Sequence, residues 1–213
     1  MNPLHLEQER LFWEAGMARV AGVDEVGRGA IAGPLMAAAV VLPAVGSRRL
    51  AELRRHLAGV RDSKTLSFRQ RAGLAEGIWT LAVAVGVGIV ESDEFDLVGM
   101  SAANRLAMER AVLALDTVPD ALLLDACTID LGVPQVGIID ADALCLSVAA
   151  ASIVAKVARD TLMLGHHERD GRYGFDQHKG YGTALHFARI VEHGPGPIHR
   201  MSMPRVANGG IRL

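Results

Sequence analysis

The sequence predicts an α/β fold in which a mixed central sheet is flanked by helices. Short apolar runs rich in valine, alanine and leucine alternate with segments whose apolar residues recur at helical spacing. Two of the apolar runs end in carboxylates, as expected where strand tips face a site at the edge of an open sheet. With 213 residues, half of them hydrophobic, the chain is long enough for one domain over residues 1–213, with a C-terminal loop and helical element from about residue 170.

Five apolar runs are predicted to be strands because they are short and bounded by glycine, proline or acidic residues. The first two are joined by a glycine-rich connection, which predicts a hairpin whose bend carries Gly27, Arg28 and Gly29. The predicted strands cover residues 17–25, 35–42, 81–90, 121–124 and 135–139.

Caps and helical spacing predict the helices. Ser67 and Gln70 have the spacing of a capping box, so a helix is expected to begin at Phe68. A short helix starts at Ser92, and capping explains its early carboxylates better than metal binding does. The longer predicted helices cover residues 3–16, 68–79, 101–115, 143–164 and 183–193, and the tail from residue 201 is expected to be irregular.

The helix predicted over residues 143–164 is apolar nearly all round at its start and is therefore expected to lie buried against the sheet. Asp142 has the spacing of its N-cap. Lys156, Arg159 and Asp160 are expected to mark its exposed side.

Four carboxylates occupy the ends of predicted elements: Asp24, Glu25, Asp125 and Asp142. Each alone is explained equally well as a turn or cap residue in water, but that account leaves their shared position beside Gly27-Arg28-Gly29 unexplained. Carboxylates brought together repel one another unless a cation neutralises them, and all-oxygen ligation selects Mg²⁺ or Mn²⁺. Two such ions about 4 Å apart can activate a water and stabilise the departing oxygen in phosphodiester hydrolysis.

Two segments are candidates for contact with nucleic acid. Residues 48–71 carry eight basic and two acidic residues, a local net charge of +6, which fits either a solvated helix face or a phosphate-binding patch. The segment 171–183 is rich in glycine and aromatic residues, so it can stack a sugar or base while lysine holds phosphate. The alternative is a connection with Tyr173 and Phe175 in the core.

Composition excludes several classes. The net charge of −2 does not by itself indicate a nucleic-acid partner. Cys127 and Cys145 are the only cysteines and form no C-x-x-C pattern, which argues for a reducing compartment and against disulfides or structural zinc. The histidine spacings suit no zinc site, so surface or structural roles are expected. A bilayer-spanning run and a secretory signal are both missing, and the expectation is a soluble cytoplasmic protein.

Six blocks in order resemble the bacterial ribonuclease HII (ribonuclease H type 2) family over roughly residues 19–205. They are AGVDEVGRG, RDSKTLS, LLLDA, ADALCLSVAAASIVAKVARD, YGFDQHKGYGT and EHGPGPIHR. The resemblance implies an RNase H-like fold and a metal-dependent endonuclease that hydrolyses the RNA strand of RNA–DNA hybrids. It also implies cutting on the 5′ side of single ribonucleotides in duplex DNA, leaving a 3′-hydroxyl and a 5′-phosphate.

The same resemblance implies a role for each matching residue. The four acids would form the catalytic site for Mn²⁺ or Mg²⁺, and the glycine loop would recognise the ribose 2′-hydroxyl. Tyr181 would stack on the following deoxyribose. The full implied substrate-binding set is Gly27, Arg28, Gly29, Ser63, Lys64, Lys179 and Tyr181.

The sequence departs from the family pattern in two places. Asp140-Ala141-Asp142 stands where the family has Lys-Gly-Asp, which places an acid where a base is expected. Met203 replaces the family's aromatic residue near the end. With no aromatic clamp-binding peptide in view, a monomer without an obligate protein partner is expected. Two rival classes stay open, namely another metal-dependent phosphotransferase or DNA nuclease, and a non-catalytic nucleic-acid binder.

Overall fold

The computed structural model describes residues 6–44, 46, 48–57 and 66–209. Its centre is a five-stranded sheet in the order β3-β2-β1-β4-β5. β1 pairs antiparallel with β2, and β2 with β3, whereas β4 runs parallel to both β1 and β5. The strands are β1 (Val20–Val26), β2 (Leu35–Val41), β3 (Ala84–Val90), β4 (Ala121–Asp125) and β5 (Gln135–Ile138). The predicted mixed sheet and its N-terminal hairpin are confirmed.

Helices cover both faces of this sheet. The first half of the chain contributes α1 (Glu7–Glu14), α2 (Arg48–His56), α3 (Phe68–Leu81), α4 (Ser92–Val98) and α5 (Met100–Leu113). The second half contributes α6 (Ala141–Leu144), α7 (Leu146–Arg169), a 3-10 turn (Gly171–Tyr173), α8 (Phe175–His178), α9 (Ala184–His193) and α10 (Pro204–Ala207). In the part of the chain that the structure describes, no helix is both long and apolar enough to cross a membrane.

The core has two main layers, one on each face of the sheet. One layer packs α2, α3 and α7 against Ala38 and Val40, and the other packs α5 against Ala37 and Ala39. All seven residues of β2 are therefore buried, which explains why this strand is continuously apolar rather than alternating. The capping box predicted at Ser67 and Gln70 is present at the start of α3.

Close backbone contact brings α7 against β1. A Cβ placed on Gly22 would lie 2.2 Å from the backbone carbon of Ser147, so glycine is required at this crossing. On the opposite face, a Cβ on Gly88 would lie 2.0 Å from the carbonyl oxygen of Ala107 in α5. The first of these contacts fixes the side chains of α7 beside the end of β1.

The predicted start of the long helix, residue 143, is wrong, because that helix begins at Leu146. Cys145 has extended backbone and separates α6 from α7, so Asp142 lies in the first turn of α6 and is not the N-cap of the long helix. Glu9 of α1 supplies that cap, since its Oε1 accepts hydrogen bonds from the N–H (2.9 Å) and hydroxyl (2.8 Å) of Ser147. This cap comes from a distant part of the chain.

Two further expectations are corrected. Arg159 and Asp160 are 0% and 2% exposed, so they do not mark the exposed side of α7; hydrogen bonds and ion pairs hold both inside the protein. The tail is not entirely irregular, because Pro204 begins the four-residue helix α10.

Candidate active site

Three carboxylates meet where β1 and β4 end. These strands are parallel neighbours, with Val23 beside Leu124. The acids that follow Val23 in β1 and Leu124 in β4 therefore reach the same edge of the sheet. Asp24, Glu25 and Asp125 each offer a carboxylate oxygen, and these oxygens lie within 4.8 Å of one another. Asp24 also accepts a hydrogen bond of 2.8 Å from the N–H of Glu25, which fixes its orientation.

Asp142 faces the same cavity but does not belong to that close group of three. The Oδ1 atom of Asp125 accepts a hydrogen bond of 2.9 Å from the N–H of Ala141. This bond ties the tip of β4 to the first turn of α6 and so brings Asp142 to the cavity. Asp140, the residue that departs from the family pattern, is exposed and has left-handed backbone (φ +57°).

Burial and mutual repulsion make the acids hard to ionise. Asp24 is 6% exposed, and burial first, then the charges of Glu25, Asp125 and Asp142, raise its pKa to about 7. A hydrogen bond from Ser152 opposes this rise. The pKa of Glu25 is raised by burial and by Asp125, against the lowering effect of Arg28.

The donor set fits a hard divalent cation. All of the candidate ligands are carboxylates, the oxygen donors that Mg²⁺ and Mn²⁺ take. A cation would also offset the repulsion that raises the pKa values of Asp24 and Glu25.

A cavity of about 600 Å³ opens over these acids. The Gly27–Gly29 loop forms part of its wall, and other parts come from α3 and α7 and from Tyr181. The side chains that line it besides the acids and the loop are Val26, Arg71, Ser152, Lys156 and Tyr181. The cavity therefore joins a negatively charged floor to basic and aromatic walls.

The Gly27–Gly29 loop that lines this cavity is a tight turn. The N–H of Ala30 donates to the carbonyl of Gly27 (3.1 Å) and closes a tight turn, with Gly27 at φ +87°. The N–H groups of Arg28 and Gly29 have no acceptor within the described residues. Tyr181 forms a bridge with Ala30, so the tyrosine and the loop are fixed side by side.

Other predicted substrate-binding residues are placed differently. Ser63 and Lys64 lie outside the described residues. Lys179 does not line the cavity; its amine donates to the carbonyl of Asp176, and its backbone has φ +50°. Asp93, Glu94 and Asp96 lie outside the acid cluster: Glu94 pairs with Arg110, and Asp96 accepts hydrogen bonds from the backbone of residues 201 and 202.

Comparison with known proteins places these features in a family. A family model described as ribonuclease HII matches residues 21–206. The chain belongs to the ribonuclease HII family. It is 45% identical over 203 residues to the ribonuclease HII of Herpetosiphon aurantiacus, covering 95% of this chain and 96% of that protein. It is thus a ribonuclease H, a metal-dependent endonuclease that hydrolyses RNA in RNA–DNA hybrids.

Solved structures agree with this assignment. The ribonuclease H2 of Pyrococcus horikoshii superposes with a TM-score of 0.77 at 26% identity, covering 90% of this chain and 97% of that one. The ribonuclease HII of Archaeoglobus fulgidus, solved as a complex with PCNA, superposes with a TM-score of 0.74 at 27% identity, covering 91% of this chain and 98% of that one. The RNase H-like fold expected from the sequence is confirmed.

Inspection of the sequence missed the roles of Ser152 and Lys156 at this ribonuclease HII site, whereas Arg71 belongs to the basic segment 48–71 already marked as a candidate phosphate-binding patch. Ser152, which bonds Asp24, is hidden within an apolar helix, and no local pattern marks it. Lys156 reaches the cavity while its amine contacts Asp160 at 2.7 Å, and Arg71 of α3 lies 3.6 Å from the same carboxylate. The i, i+4 spacing of Lys156 and Asp160 was the available signal for this network.

Proposed function

We propose that this enzyme cuts duplex DNA on the 5′ side of a single embedded ribonucleotide, leaving a 3′-hydroxyl and a 5′-phosphate. The observation that carries the proposal is the convergence, around one cavity, of three carboxylates within 4.8 Å and a Gly-Arg-Gly loop, two of whose amides have no acceptor in the described part of the chain. Such a cavity offers a site for phosphodiester hydrolysis beside a site that can recognise a sugar hydroxyl.

The catalytic residues in this proposal are Asp24, Glu25, Asp125 and Asp142, which would hold Mg²⁺ or Mn²⁺. When bound, such ions polarise the phosphodiester and lower the pKa of an attacking water. Asp24 and Glu25 sit on the rigid end of β1, so their oxygens are already gathered before substrate arrives. Ser152 holds Asp24, and the N–H of Ala141 holds Asp125.

The glycine loop supplies the discrimination between ribose and deoxyribose. The N–H groups of Arg28 and Gly29, which have no acceptor among the described residues, would donate to the 2′-hydroxyl or its adjoining phosphate, and a deoxyribose would leave a donor unpaired. Tyr181 would pack on the neighbouring sugar. Arg28 and Lys156, both at the cavity wall, would contact phosphates, while Ser63, Lys64 and Lys179 remain proposed contacts to the flanking backbone.

We further propose that the enzyme works as a cytoplasmic monomer on nucleic acid and serves the removal of ribonucleotides from DNA. Asp140 would weaken one phosphate contact, since it places negative charge beside the acids. Gel filtration at working concentrations tests the monomer, and the variant Asp140→Lys tests the weakened contact through a lower KM.

The experiment that tests the function compares two labelled duplexes that differ by one 2′-hydroxyl. We expect cleavage on the 5′ side of the ribonucleotide with Mg²⁺ or Mn²⁺, and none with chelator or with the all-DNA duplex. Equal cutting of both duplexes would favour a DNA nuclease. Tight binding without cutting under either metal would favour a non-catalytic binder.

A further inference from the structure

Two arginines lie completely inside the protein beneath the Gly27–Gly29 loop. Arg159 on α7 and Arg200 beyond α9 are both 0% exposed. Neither forms an ion pair with an acid in the described part of the chain. Burying an unpaired charge is costly unless hydrogen bonds compensate. Their presence together at this place therefore needs an explanation.

Arg200 holds the carbonyl groups of the loop. Its Nη1 donates to the carbonyl oxygens of Gly27 (2.7 Å), Ala30 (3.0 Å) and Arg28 (3.2 Å), and its Nε donates to that of Gly33 (3.0 Å). Its Nη2 is buried without an acceptor in the described chain.

Arg159 holds the adjoining backbone from the other side. Its Nε donates to Pro34 (2.9 Å), its Nη2 to Ala32 (3.0 Å) and its Nη1 to Lys179 (2.7 Å), in each case to the carbonyl oxygen. A Cβ on Gly27 would lie 2.2 Å from the Nε of Arg159, so the buried arginine also explains why glycine begins the loop.

The two side chains thus bind six carbonyl groups between residues 27 and 34. With the carbonyls held inward, the N–H groups of Arg28 and Gly29 are left for a ligand. Two positive charges also lie directly beneath the loop, where a low-dielectric surrounding strengthens their effect on an anion at its surface. The guanidinium carbon of Arg159 is 5.3 Å from the ring centre of Tyr181, so it contacts the second substrate-binding element as well.

We propose that Arg159 and Arg200 are positioning residues, which hold the Gly27–Gly29 loop in the conformation that binds the ribonucleotide and add fixed positive charge beneath its phosphodiester. This inference rests on the proposed function, because it assigns these arginines a part in recognising ribose. A merely structural arginine would change stability and leave the preference for ribose unaltered.

The test measures the dissociation constants of a duplex with one ribonucleotide and of its all-DNA counterpart, in chelator so that no cutting occurs. Arg200→Lys keeps the positive charge but cannot donate to four carbonyl groups. Arg200→Met removes the charge and the hydrogen bonds together. We expect each variant to raise the dissociation constant of the ribonucleotide duplex about tenfold, the effect of losing one or two hydrogen bonds to the substrate. The ratio of the all-DNA constant to the ribonucleotide constant should therefore fall. Thermal melting checks that the variants are folded.

A matched control is Arg19→Gln, which removes an exposed arginine paired with Asp120 at the opposite end of β1. It should leave the ratio unchanged. A folded Arg200→Met protein with the wild-type ratio would overturn the proposal. If that variant does not fold, Arg200→Lys decides by the same criterion, and guanidinium ion added to Arg200→Ala should restore the ratio. A wild-type protein without any preference for the ribonucleotide would refute the proposed function instead.

Discussion

Asp24 shows at the scale of one residue how the fold prepares the proposed cation site. Its carboxylate is buried next to two other acids, and its pKa is raised to about 7. Without metal, the folded protein therefore keeps a proton at Asp24 that the unfolded chain releases near pH 4. The stabilisation from this proton is complete below pH 4 and is lost as the pH rises through 7.

The metal-free protein should accordingly lose stability between pH 4 and pH 8, by up to about 4 kcal/mol from Asp24 alone. Asp24→Asn removes the titrating group and should flatten this dependence. Chemical denaturation in chelator at pH 5 and pH 8 measures the effect. If the free energy of unfolding of Asp24→Asn changed with pH as much as that of the wild type, the raised pKa of Asp24 would be contradicted.

Single residues also show where inspection of the sequence failed. Arg159 and Asp160 were predicted to be exposed because charge in a helix usually faces water. Their burial depends largely on partners from distant elements, namely the carbonyls of residues 32, 34 and 179 for Arg159 and the guanidinium of Arg71 for Asp160. Local pattern carries no information about such partners.

At the scale of elements, the contact between β1 and α7 sets the distance between Asp24 and the side chains of α7. Gly22→Ala would place a methyl group 2.2 Å from backbone of α7, so the helix must shift. We expect a loss of about 1–3 kcal/mol in the free energy of unfolding, together with reduced cleavage.

Gly165→Ala is the control for this prediction, because it lies in the same helix and its added Cβ meets nothing within 4 Å. It should stabilise the protein by about 0.5–1 kcal/mol and leave activity unchanged. Equal stability of Gly22→Ala and wild type would contradict the tight packing of α7 on β1.

The elements after α7 are joined by a core of three buried histidines, His178, His186 and His199. The His186 Nε2 lies 3.1 Å from the His199 Nε2, so one ring donates to the other, and the His186 Nδ1 donates to the carbonyl of Tyr181 (2.9 Å). The sequence indicated surface or structural roles for the histidines, and for these three the structure shows the structural one.

Burial lowers the pKa of His186 to about 3, so it stays neutral when folded, whereas the unfolded chain takes up a proton near pH 6.5. Its contribution to stability is present above pH 6.5 and lost as the pH falls, by about 2 kcal/mol at pH 5. His186→Gln should be less stable at pH 8 but less sensitive to acid. Thermal melting at several pH values measures this. If the melting temperature of the variant fell with acid as steeply as that of the wild type, the buried neutral His186 would not be the cause.

For the whole molecule, the sequence was sufficient to predict the sheet, the hairpin and the clustering of acids at strand ends. The strands and the hairpin follow from local pattern, since apolar runs and glycine bends mark them, and the meeting of the acids was inferred because open α/β sheets place sites at strand ends. The cap of α7 by Glu9 and the break at Cys145 depend on packing between distant segments, and the N-cap predicted at Asp142 was wrong for that reason.

The most direct test of the central claim is the rate at which Asp125→Asn cuts a duplex with one ribonucleotide. Asparagine keeps an oxygen for the N–H of Ala141 but removes a negative charge from the acid cluster. Asp130→Asn, which alters an exposed acid shortly after β4, is the control. We predict a folded Asp125→Asn protein whose rate falls at least about a hundredfold with either Mg²⁺ or Mn²⁺. A folded variant that cuts at the wild-type rate would contradict the assignment of Asp125 to the metal site.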